Sequence, residues 1–398
     1  MIIKSITMNN FKSLINFKID LEKFNCLVGL NGSGKSTVLQ AVDFLSQLMK
    51  GNVDGWFLER SWNIKDIKFK LEEKRSKQVS FEVVFYVDNN ERYVVWKGRF
   101  SGNLLHCTYE TITEKVNLDD EGNILLKAEN KKYRLNTEKQ SSDKDSKEEN
   151  ISFKYSGSIL SQLSDKLISS VPLLVDVKKY IVNIKSLDLL SPYTLKENSR
   201  AIGDIGLGGE RFPSFLKDFD AQEHDELIKE MKLFYPQLCD FVIKGQRGGV
   251  KKIVFKENCE DKGIIEFDAK HINDGTMRVL AIIAQAQKHR SLVLFDEIEN
   301  GINPELVRQL MQYLMDCNAQ VIVTTHSPMI LNYIPMETAK KSVDLLYKKN
   351  GETKTVKFLS LPETEWKTDM LGPGEIYVDT DLVKLTKNLA SSNKDSLI

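Results

Sequence analysis

The sequence predicts a mixed α/β fold, in which a sheet with a parallel core carries an antiparallel β lobe and an inserted helical lobe. The first observation is near the N-terminus, where the apolar run FNCLVGL is followed by a segment of helical spacing. The second is the last third of the chain, where short apolar runs alternate with helical segments, as in parallel strands joined by helices. The third is the middle of the chain, where the sequence pattern predicts first strands and then helices. We therefore expect the two ends to join into one unit.

Composition limits the classes of function that remain open. The chain has 398 residues, with 41% hydrophobic and 28% charged residues and 56 basic against 56 acidic side chains. This balance argues against a protein that binds nucleic acid through its overall charge. The five cysteines are scattered and form no CxxC pair, which indicates a reduced, cytoplasmic setting. No apolar run approaches the roughly 20 residues that cross a bilayer, and no signal peptide is evident, so we expect no membrane partner.

Residues 1–136 are predicted to form the first half of the parallel-sheet unit together with the antiparallel lobe. IIKSITMNNF alternates as a strand does, and FNCLVGL reads as a short buried strand. The next segment has apolar residues on one helical face, namely Val38, Leu39, Val42, Leu45 and Leu48. Strands are predicted between Val79 and Arg134, the first two joined at Asp88, Asn89 and Asn90.

The remaining chain divides into three predicted parts. Residues 137–150 have almost no apolar side chain and are expected to form an exposed charged loop. Residues 151–250 are predicted to form the helical lobe. Residues 251–398 are predicted to complete the sheet, with a helix from Thr276 to His289, a helix from Pro304 to Cys317, and a terminal hairpin that turns at Asn350 and Gly351.

The stretch GLNGSGKS, residues 29–36, matches the pattern G-x-x-x-x-G-K-[ST] between a predicted strand and a predicted helix. Glycines allow backbone N–H groups to point into one concavity that binds an anion. The Lys35 ammonium would bind phosphate oxygens, and the Ser36 hydroxyl would ligate Mg²⁺. The alternative is a simple glycine turn before a helix, which does not account for the Lys-Ser pair.

Two further apolar runs end in polar residues. In LVLFDEIENGINP, four apolar residues precede Asp296 and Glu297, which predicts a buried strand that delivers two carboxylates to the sheet edge where ligands bind. Asp296 would hold Mg²⁺, and Glu297 would orient and deprotonate a water molecule. VIVTTHSP ends at His326, which could reach the same place. The alternative for Asp296 and Glu297 is a pair of solvated acids at the end of a strand. The alternative for His326 is a structural role as a capping or packing residue.

This set of motifs resembles the ABC-type ATPases, and most closely their RecF/SMC/OLD-like branch. The resemblance rests on the phosphate loop, the helix entry NDGT, the strand LVLFDE with its E-x-x-x-x-P continuation, and TTHSP. It implies a P-loop ABC-type ATPase head. The residues that it assigns to ATP are Gly29, Asn31, Gly32, Ser33, Gly34, Lys35, Ser36 and Thr37.

The resemblance also assigns roles elsewhere. It implies that Asp296 is the Mg²⁺-side aspartate, that Glu297 is the catalytic base, and that His326 is the switch histidine. Residues 300–303 would cross a dimer interface. Asn273, Asp274 and Gly275, here called the signature stretch, would close on the ATP of a partner subunit, although alone they read as a helix cap. Gln162 is the candidate Mg²⁺-sensing glutamine, with Gln47 and Gln78 as alternatives. The chain departs from the family pattern at Asn273, where serine is usual, and at Asn303.

The expected function is an ATP-binding, slowly hydrolysing dimeric switch that acts with a separately encoded effector, such as a nuclease, in bacterial anti-phage defence. The alternatives are a RecF-type DNA repair ATPase, a transporter nucleotide-binding subunit, and a scaffold that does not hydrolyse ATP. The intact Asp296–Glu297 pair argues against the scaffold, and the inserted lobes argue against the transporter subunit.

Two other stretches of the sequence contain clustered charges. EIYVDTD, residues 375–381, places its acids too close together for a TOPRIM-type metal site. The basic stretches 65–77 and 244–256 could contact DNA, or could be solvated strand edges.

Overall fold

The structure, a computed structural model, describes residues 1–69, 78–88, 91–136, 148–187, 190–200, 203–259, 263–288 and 290–391. The strands are β1 (Ile2–Asn9), β2 (Phe17–Asp20), β3 (Phe24–Val28), β4 (Gln78–Val87), β5 (Arg92–Ser101), β6 (His106–Lys115), β7 (Asn123–Glu129), β8 (Lys132–Leu135), β9 (Glu149–Asn150), β10 (Ile184–Leu187), β11 (Leu238–Gly245), β12 (Lys251–Cys259), β13 (Gly263–Asp268), β14 (Leu292–Phe295), β15 (Gln320–Thr324), β16 (Val343–Lys349) and β17 (Glu352–Lys357). The α-helices are α1 (Lys35–Lys50), α2 (Val53–Glu59), α3 (Asp165–Ile168), α4 (Pro172–Val182), α5 (Pro192–Leu195), α6 (Phe212–Lys217), α7 (Ala221–Phe234), α8 (Asp274–Gln287), α9 (Pro304–Asp316), α10 (Pro328–Asn332), α11 (Met336–Ser342), α12 (Pro362–Glu365), α13 (Pro373–Asp379) and α14 (Leu382–Ser391).

The core sheet has the order β10-β14-β15-β3-β16-β17. All neighbours from β10 to β16 are parallel, and β17 runs antiparallel to β16 as the second strand of a hairpin. The carboxyl ends of β14, β15 and β3 therefore lie at one edge of the sheet. Because the three predicted polar motifs follow these strands, the topology brings them to the same edge.

Both faces of the core sheet are covered. Leu292, Leu294 and Ile322 belong to a hydrophobic cluster that also contains the apolar face of α1. Val293 and Val321 point the other way, into a cluster with residues of α8 and α9. This two-sided burial explains why the strands read as continuous apolar runs and not as alternating ones.

Within the described residues, the antiparallel lobe is an eight-stranded sheet with the order β2-β1-β4-β5-β6-β7-β8-β9. Strands β4 to β8 lie where strands were predicted, and in β1 the side chains of Ile3 and Met8 are fully buried. Asn89 and Asn90 of the predicted turn, and residues 137–147 of the predicted charged loop, lie outside the described residues.

The predicted helical lobe, residues 151–250, needs a correction. It contains helices α3 to α7, but it also contributes β10 to the core sheet, where Ile184 pairs with Leu292 beside the Asp296 strand. The segment YIVNIKSL lies within the residues that were predicted to form the helical lobe. The helix ends at Val182, and the apolar residues that follow continue as a strand, because a short apolar run does not distinguish the two structures.

A small antiparallel sheet, β11-β12-β13, packs beside α6 and α7. The terminal hairpin turns at Asn350 and Gly351 as predicted, and both residues have a positive φ of 52° and 81°. Among the described helices, none is long and apolar enough to cross a bilayer.

Candidate functional site

The phosphate loop connects β3 to α1. Gly29 and Gly34 have φ values of 143° and 111°, a region that side chains with a Cβ rarely adopt. Space is a second constraint, since a Cβ on Gly29 would lie 2.3 Å from the Leu346 carbonyl oxygen, and one on Gly34 would lie 2.2 Å from Thr353 Oγ1. The loop conformation therefore requires glycine at both positions.

Lys35 is the first residue of α1 and is nearly buried, with 6% of its surface exposed. Its Nζ donates hydrogen bonds to the carbonyl oxygens of Gly29, at 2.9 Å, and Leu30, at 3.4 Å. Burial lowers the pKa of Lys35, and the charges of Asp296, Glu297 and Glu299 oppose that shift. The loop thus holds a cation close enough to interact with the carboxylates that follow β14.

Asp296 and Glu297 follow β14 at this edge. The Thr324 hydroxyl of β15 donates to Asp296 Oδ1 and accepts from the backbone N–H of Glu297 at 2.8 Å. Glu297 has a φ of 48°, an unusual conformation for a residue other than glycine. Its side chain is exposed, whereas Asp296 is half-buried. Glu297 is therefore accessible to solvent, whereas the Asp296 carboxylate is held at the end of β15 by Thr324.

Arg278, which was not among the predicted site residues, also contacts this turn. It lies on α8, is 8% exposed, and its Nη2 donates to the carbonyl oxygens of Asp296 at 3.3 Å and Glu297 at 3.2 Å. Burial lowers the pKa of Arg278, and three nearby carboxylates oppose the shift. The sequence signal that could have identified Arg278 is its position as a single arginine within the apolar run of this helix. Arg278 couples the helix that begins at the signature stretch to the turn that carries Glu297.

His326 follows β15 and is exposed. Its backbone N–H donates to Glu299 Oε1 at 2.9 Å. The other oxygen of that carboxylate, Oε2, is buried without a hydrogen-bond partner among the described atoms. His326 therefore lies at the same sheet edge as Lys35 and Asp296, on a loop held by Glu299.

The signature stretch begins α8. Asn273 caps the helix, since its Oδ1 accepts from the N–H of Thr276 at 2.7 Å, and Asp274 forms an ion pair with Lys196. A Cβ on Gly275 would lie 3.0 Å from the Gly301 carbonyl oxygen. Asn273 and Asp274 are exposed. These neighbours of the signature stretch, Thr276, Lys196 and Gly301, all lie outside the phosphate loop.

Gln162 is not brought to the site. It lies at the C-terminal end of α1, where a Cβ on Gly51 would be 2.7 Å from Gln162 Nε2. Lys35 begins the same helix, which has 16 residues and is therefore about 24 Å long. Gln47 lies in the last turns of that helix too. The assignment of Gln162 as a metal-side glutamine is therefore corrected, because the segment that follows the β lobe returns to the far end of α1.

Thr353, in the terminal hairpin, was also missed. Its hydroxyl donates to the Ser33 carbonyl oxygen at 3.0 Å and accepts from Lys348 Nζ at 2.8 Å, and it lies 2.8 Å from the Ser13 hydroxyl. Its side chain is fully buried. The hairpin thus supports the phosphate loop through a hydrogen bond between two residues that are 320 positions apart in the sequence.

The donor set fits Mg²⁺ bound together with a nucleotide. Ser36 and Asp296 offer oxygen ligands, which hard divalent cations prefer. Among the described residues, no group of three or more His, Cys, Asp or Glu side chains could hold a metal alone.

Comparisons with known proteins identify the family and the fold of this chain. The model of the family described as "AAA domain, putative AbiEii toxin, Type IV TA system" matches residues 24–332. The DNA double-strand break repair Rad50 ATPase of Methanocaldococcus jannaschii is 53% identical over 45 residues, which are 11% of this chain and 4% of that protein's length.

Solved structures are similar across most of the chain. The Smc head bound to the C-winged helix domain of ScpA has a TM-score of 0.54 and 15% identity, covering 89% of this chain and 97% of that one. The Smc head domain with an extended coiled coil, bound to the C-terminal domain of ScpA from Pyrococcus furiosus, has a TM-score of 0.50 and 14% identity, covering 89% and 96%. At sequence identities this low, the similarity to these structures indicates a shared fold and nothing more.

Proposed function

Because this chain belongs to the AAA-domain family of the putative AbiEii toxin of type IV toxin–antitoxin systems, and is an ATPase with an ABC-type head, we propose that it is an ATP-dependent dimeric switch. In this proposal, two copies enclose two ATP molecules, each bound by the phosphate loop of one subunit and the signature stretch of the other. A separately encoded effector, such as a nuclease, would respond to the closed dimer in anti-phage defence.

The exposed signature stretch is the observation that carries the proposal. Asn273 and Asp274 stand at the N-terminus of a 14-residue helix, where open N–H groups and the helix dipole favour an anion. An open cavity of about 630 Å³ lies beside them and is lined by Tyr193, Lys196, Glu197, Asn198, Lys270 and Asp274. Its size lies in the range of roughly 300–1,000 Å³ that is usual for small-molecule sites. The partner's nucleotide would approach from this side.

In the proposed reaction each side chain has a role given by its place. Lys35 binds the terminal phosphates, and Ser36 and Asp296 hold the metal. Bound Mg²⁺ would neutralise charge on the phosphate oxygens. Glu297 orients the attacking water and accepts its proton, while Arg278 and Thr324 keep the backbone of that turn in place.

A ligand shifts an equilibrium only if it binds one state better than the other. ATP enclosed by two subunits meets that condition, because the closed dimer adds the signature contacts that a monomer lacks. Hydrolysis would remove the γ-phosphate and reopen the dimer. We therefore propose slow turnover and a signalling role, in a cytoplasmic setting that suits the scattered free thiols.

The Asn273→Arg variant is expected to fold and to bind ATP, but to lose ATP-driven dimerisation and at least about tenfold of the hydrolysis rate. The arginine side chain would occupy the place where the partner's nucleotide docks. Loss of the helix cap would lower the free energy of unfolding by only about 1 kcal/mol. Hydrolysis rates and sedimentation with and without ATP measure this. Asn273→Ser is the matched control, because serine keeps a capping oxygen and should retain hydrolysis. If Asn273→Arg hydrolyses ATP at the wild-type rate, the signature stretch is only a helix cap.

Arginine at Gly275 is a less clean test than arginine at Asn273. A Cβ at position 275 would lie 3.0 Å from the Gly301 carbonyl oxygen, so a side chain there would require residue 301 to shift by a few tenths of an ångström. A loss of activity in that variant would then have two causes.

The short identity to a Rad50 repair ATPase favours a second candidate, a DNA-binding repair ATPase. The basic stretch 244–256 forms the β11–β12 hairpin, but its lysines are engaged within the chain. Lys251 Nζ lies 3.0 Å from Ser214 Oγ, and Lys252 pairs with Asp268 at 3.3 Å. At the tip, Arg247 is exposed, and Arg200 is close to Gly248. The two arginines are therefore better candidates for DNA contact than the lysines.

Charge reversal at the tip, Arg200→Glu with Arg247→Glu, is expected to weaken DNA binding and to reduce the salt slope by about 2, since each phosphate contact adds about 0.9. Fluorescence anisotropy with a duplex at several salt concentrations measures both quantities. The matched control is Arg99→Glu with Arg308→Glu, two exposed arginines on β5 and α9. Equal binding by the two double variants would exclude the tip as a DNA contact.

A further inference from the structure

Glu299 connects two parts of the site through its backbone and its side chain. Its carbonyl oxygen accepts from the N–H of Ile302 at 3.2 Å, within the loop of residues 300–303. Its carboxylate Oε1 accepts from the backbone N–H of His326 at 2.9 Å. Glu299 begins the motif E-x-x-x-x-P, but neither the resemblance nor the proposed reaction gives it a role. It is therefore a residue of the site whose function is open.

The loop that carries His326 is held by hydrogen bonds from three successive N–H groups. The N–H of Thr325 donates to the Leu27 carbonyl oxygen of β3 at 3.2 Å, and the N–H of Ser327 donates to the Thr325 hydroxyl at 2.9 Å. The N–H of His326, between these two, donates to Glu299. The Glu299 side chain thus joins His326 itself to the turn that carries the catalytic carboxylates.

The backbone contacts between this turn and β15 end before His326. The N–H of Glu297 donates to the Thr324 hydroxyl at 2.8 Å, and the N–H of Ile298 donates to the Thr324 carbonyl oxygen at 3.1 Å. Both of these contacts involve Thr324, two residues before the histidine. The side chain of Glu299 extends the row of hydrogen bonds to residue 326, so the position of His326 relative to Glu297 depends on it.

The Glu299 carboxylate is poorly satisfied for a buried group. Its Oε2 is buried and has no hydrogen-bond partner among the atoms that the structure describes. A buried carboxylate oxygen without a partner costs stability, which argues against a purely structural reason for this side chain. The contribution of Glu299 is therefore expected in the reaction and not in the stability of the fold.

We propose that Glu299 is a positioning residue that holds His326 where its imidazole can reach the terminal phosphate or the attacking water. This inference rests on the proposed hydrolysis at Glu297 and adds a residue to that site. Glu299 acts through the backbone of residue 326. When the hydrogen bond is absent, the loop samples other arrangements, and kcat falls because the imidazole is in place for a smaller fraction of the time.

The Glu299→Ala variant is expected to lower kcat about tenfold, as for one hydrogen bond to a charged group. The affinity for Mg·ATP should not weaken, because the change removes one of the negative charges that act on Lys35. Phosphate release measures kcat, and titration calorimetry with a non-hydrolysable ATP analogue measures the affinity. A melting curve without nucleotide should show an intact fold.

Two further substitutions at position 299 separate the hydrogen bond from the shape of the side chain. Glu299→Gln keeps an oxygen that can accept from the His326 N–H, and it should restore kcat to within about twofold of wild type. Glu299→Met keeps the length of the side chain but lacks this acceptor, and it should behave as Glu299→Ala without leaving a cavity. An equal loss of kcat in Glu299→Gln and Glu299→Met would overturn the proposal.

A double-mutant cycle with His326→Ala tests whether Glu299 acts through the histidine. If it does, removing Glu299 as well should lower the kcat of His326→Ala by no more than about twofold. Glu223→Ala is the matched control, since the Glu223 carboxylate also accepts a backbone N–H, that of Asp220 at 3.0 Å, but on α7. This control should retain the wild-type kcat.

Wild-type kcat in Glu299→Ala, or a full tenfold loss added to that of His326→Ala, would overturn the role of Glu299. If wild type hydrolyses ATP and Glu297→Gln does not, while Glu299→Ala is unaffected, only this inference fails. If wild type hydrolyses no ATP, the proposed function fails with it.

Discussion

The Glu297→Gln variant is expected to bind ATP, to accumulate as a dimer, and to hydrolyse ATP about a hundredfold or more slowly than wild type, within the range that a general base contributes. Glutamine keeps the shape and an oxygen acceptor but cannot take a proton from water. The backbone of the turn should not move, because Thr324 and Arg278 hold the N–H and carbonyl groups of residue 297 and not its side chain.

Sedimentation or light scattering at saturating Mg·ATP measures the trapped dimer, and phosphate release measures the rate. Glu305→Gln, an exposed glutamate in the first turn of α9, is the matched control and should behave as wild type. A glycine at position 297 would be a poorer choice, because it would also relieve the positive φ of 48°. A Glu297→Gln protein that stays monomeric at saturating ATP would refute the interfacial site, and wild-type hydrolysis would refute the base.

The Lys35→Ala variant is expected to lose ATP binding by about a hundredfold or more, since charge-assisted hydrogen bonds are worth roughly 1.5–3 kcal/mol each. The loss has a second cause in this site. Asp296, Glu297 and Glu299 all act on the Lys35 ammonium, and without it their negative charges would face the phosphates unopposed.

Calorimetric titration with Mg·ATP gives the affinity, and a melting curve without nucleotide shows whether the fold is intact. Lys50→Ala, at the opposite end of the same helix, is the control for losing a lysine from α1. Wild-type affinity in Lys35→Ala would mean that the loop binds no phosphate.

The fold could be predicted where the pattern along the chain reports on burial. The continuous apolar runs of β3, β14 and β15 indicated a sheet covered on both faces, and the structure confirms it. The same reasoning failed at β10, because the four residues from Ile184 to Leu187 follow a helix directly and carry too few positions to show a period.

The sequence by itself determined the phosphate loop, the carboxylates after β14 and the cap of α8, because each is a local motif whose backbone geometry demands particular residue types at fixed spacing. Only the tertiary structure decided which residues support those motifs. Arg278, Thr324 and Thr353 act through hydrogen bonds to residues far away in the chain, and Gln162 was misplaced because its distance from Lys35 depends on where a lobe returns. Such contacts follow from packing, which brings together positions that share no periodicity, so the partners of these side chains cannot be identified from one chain's sequence.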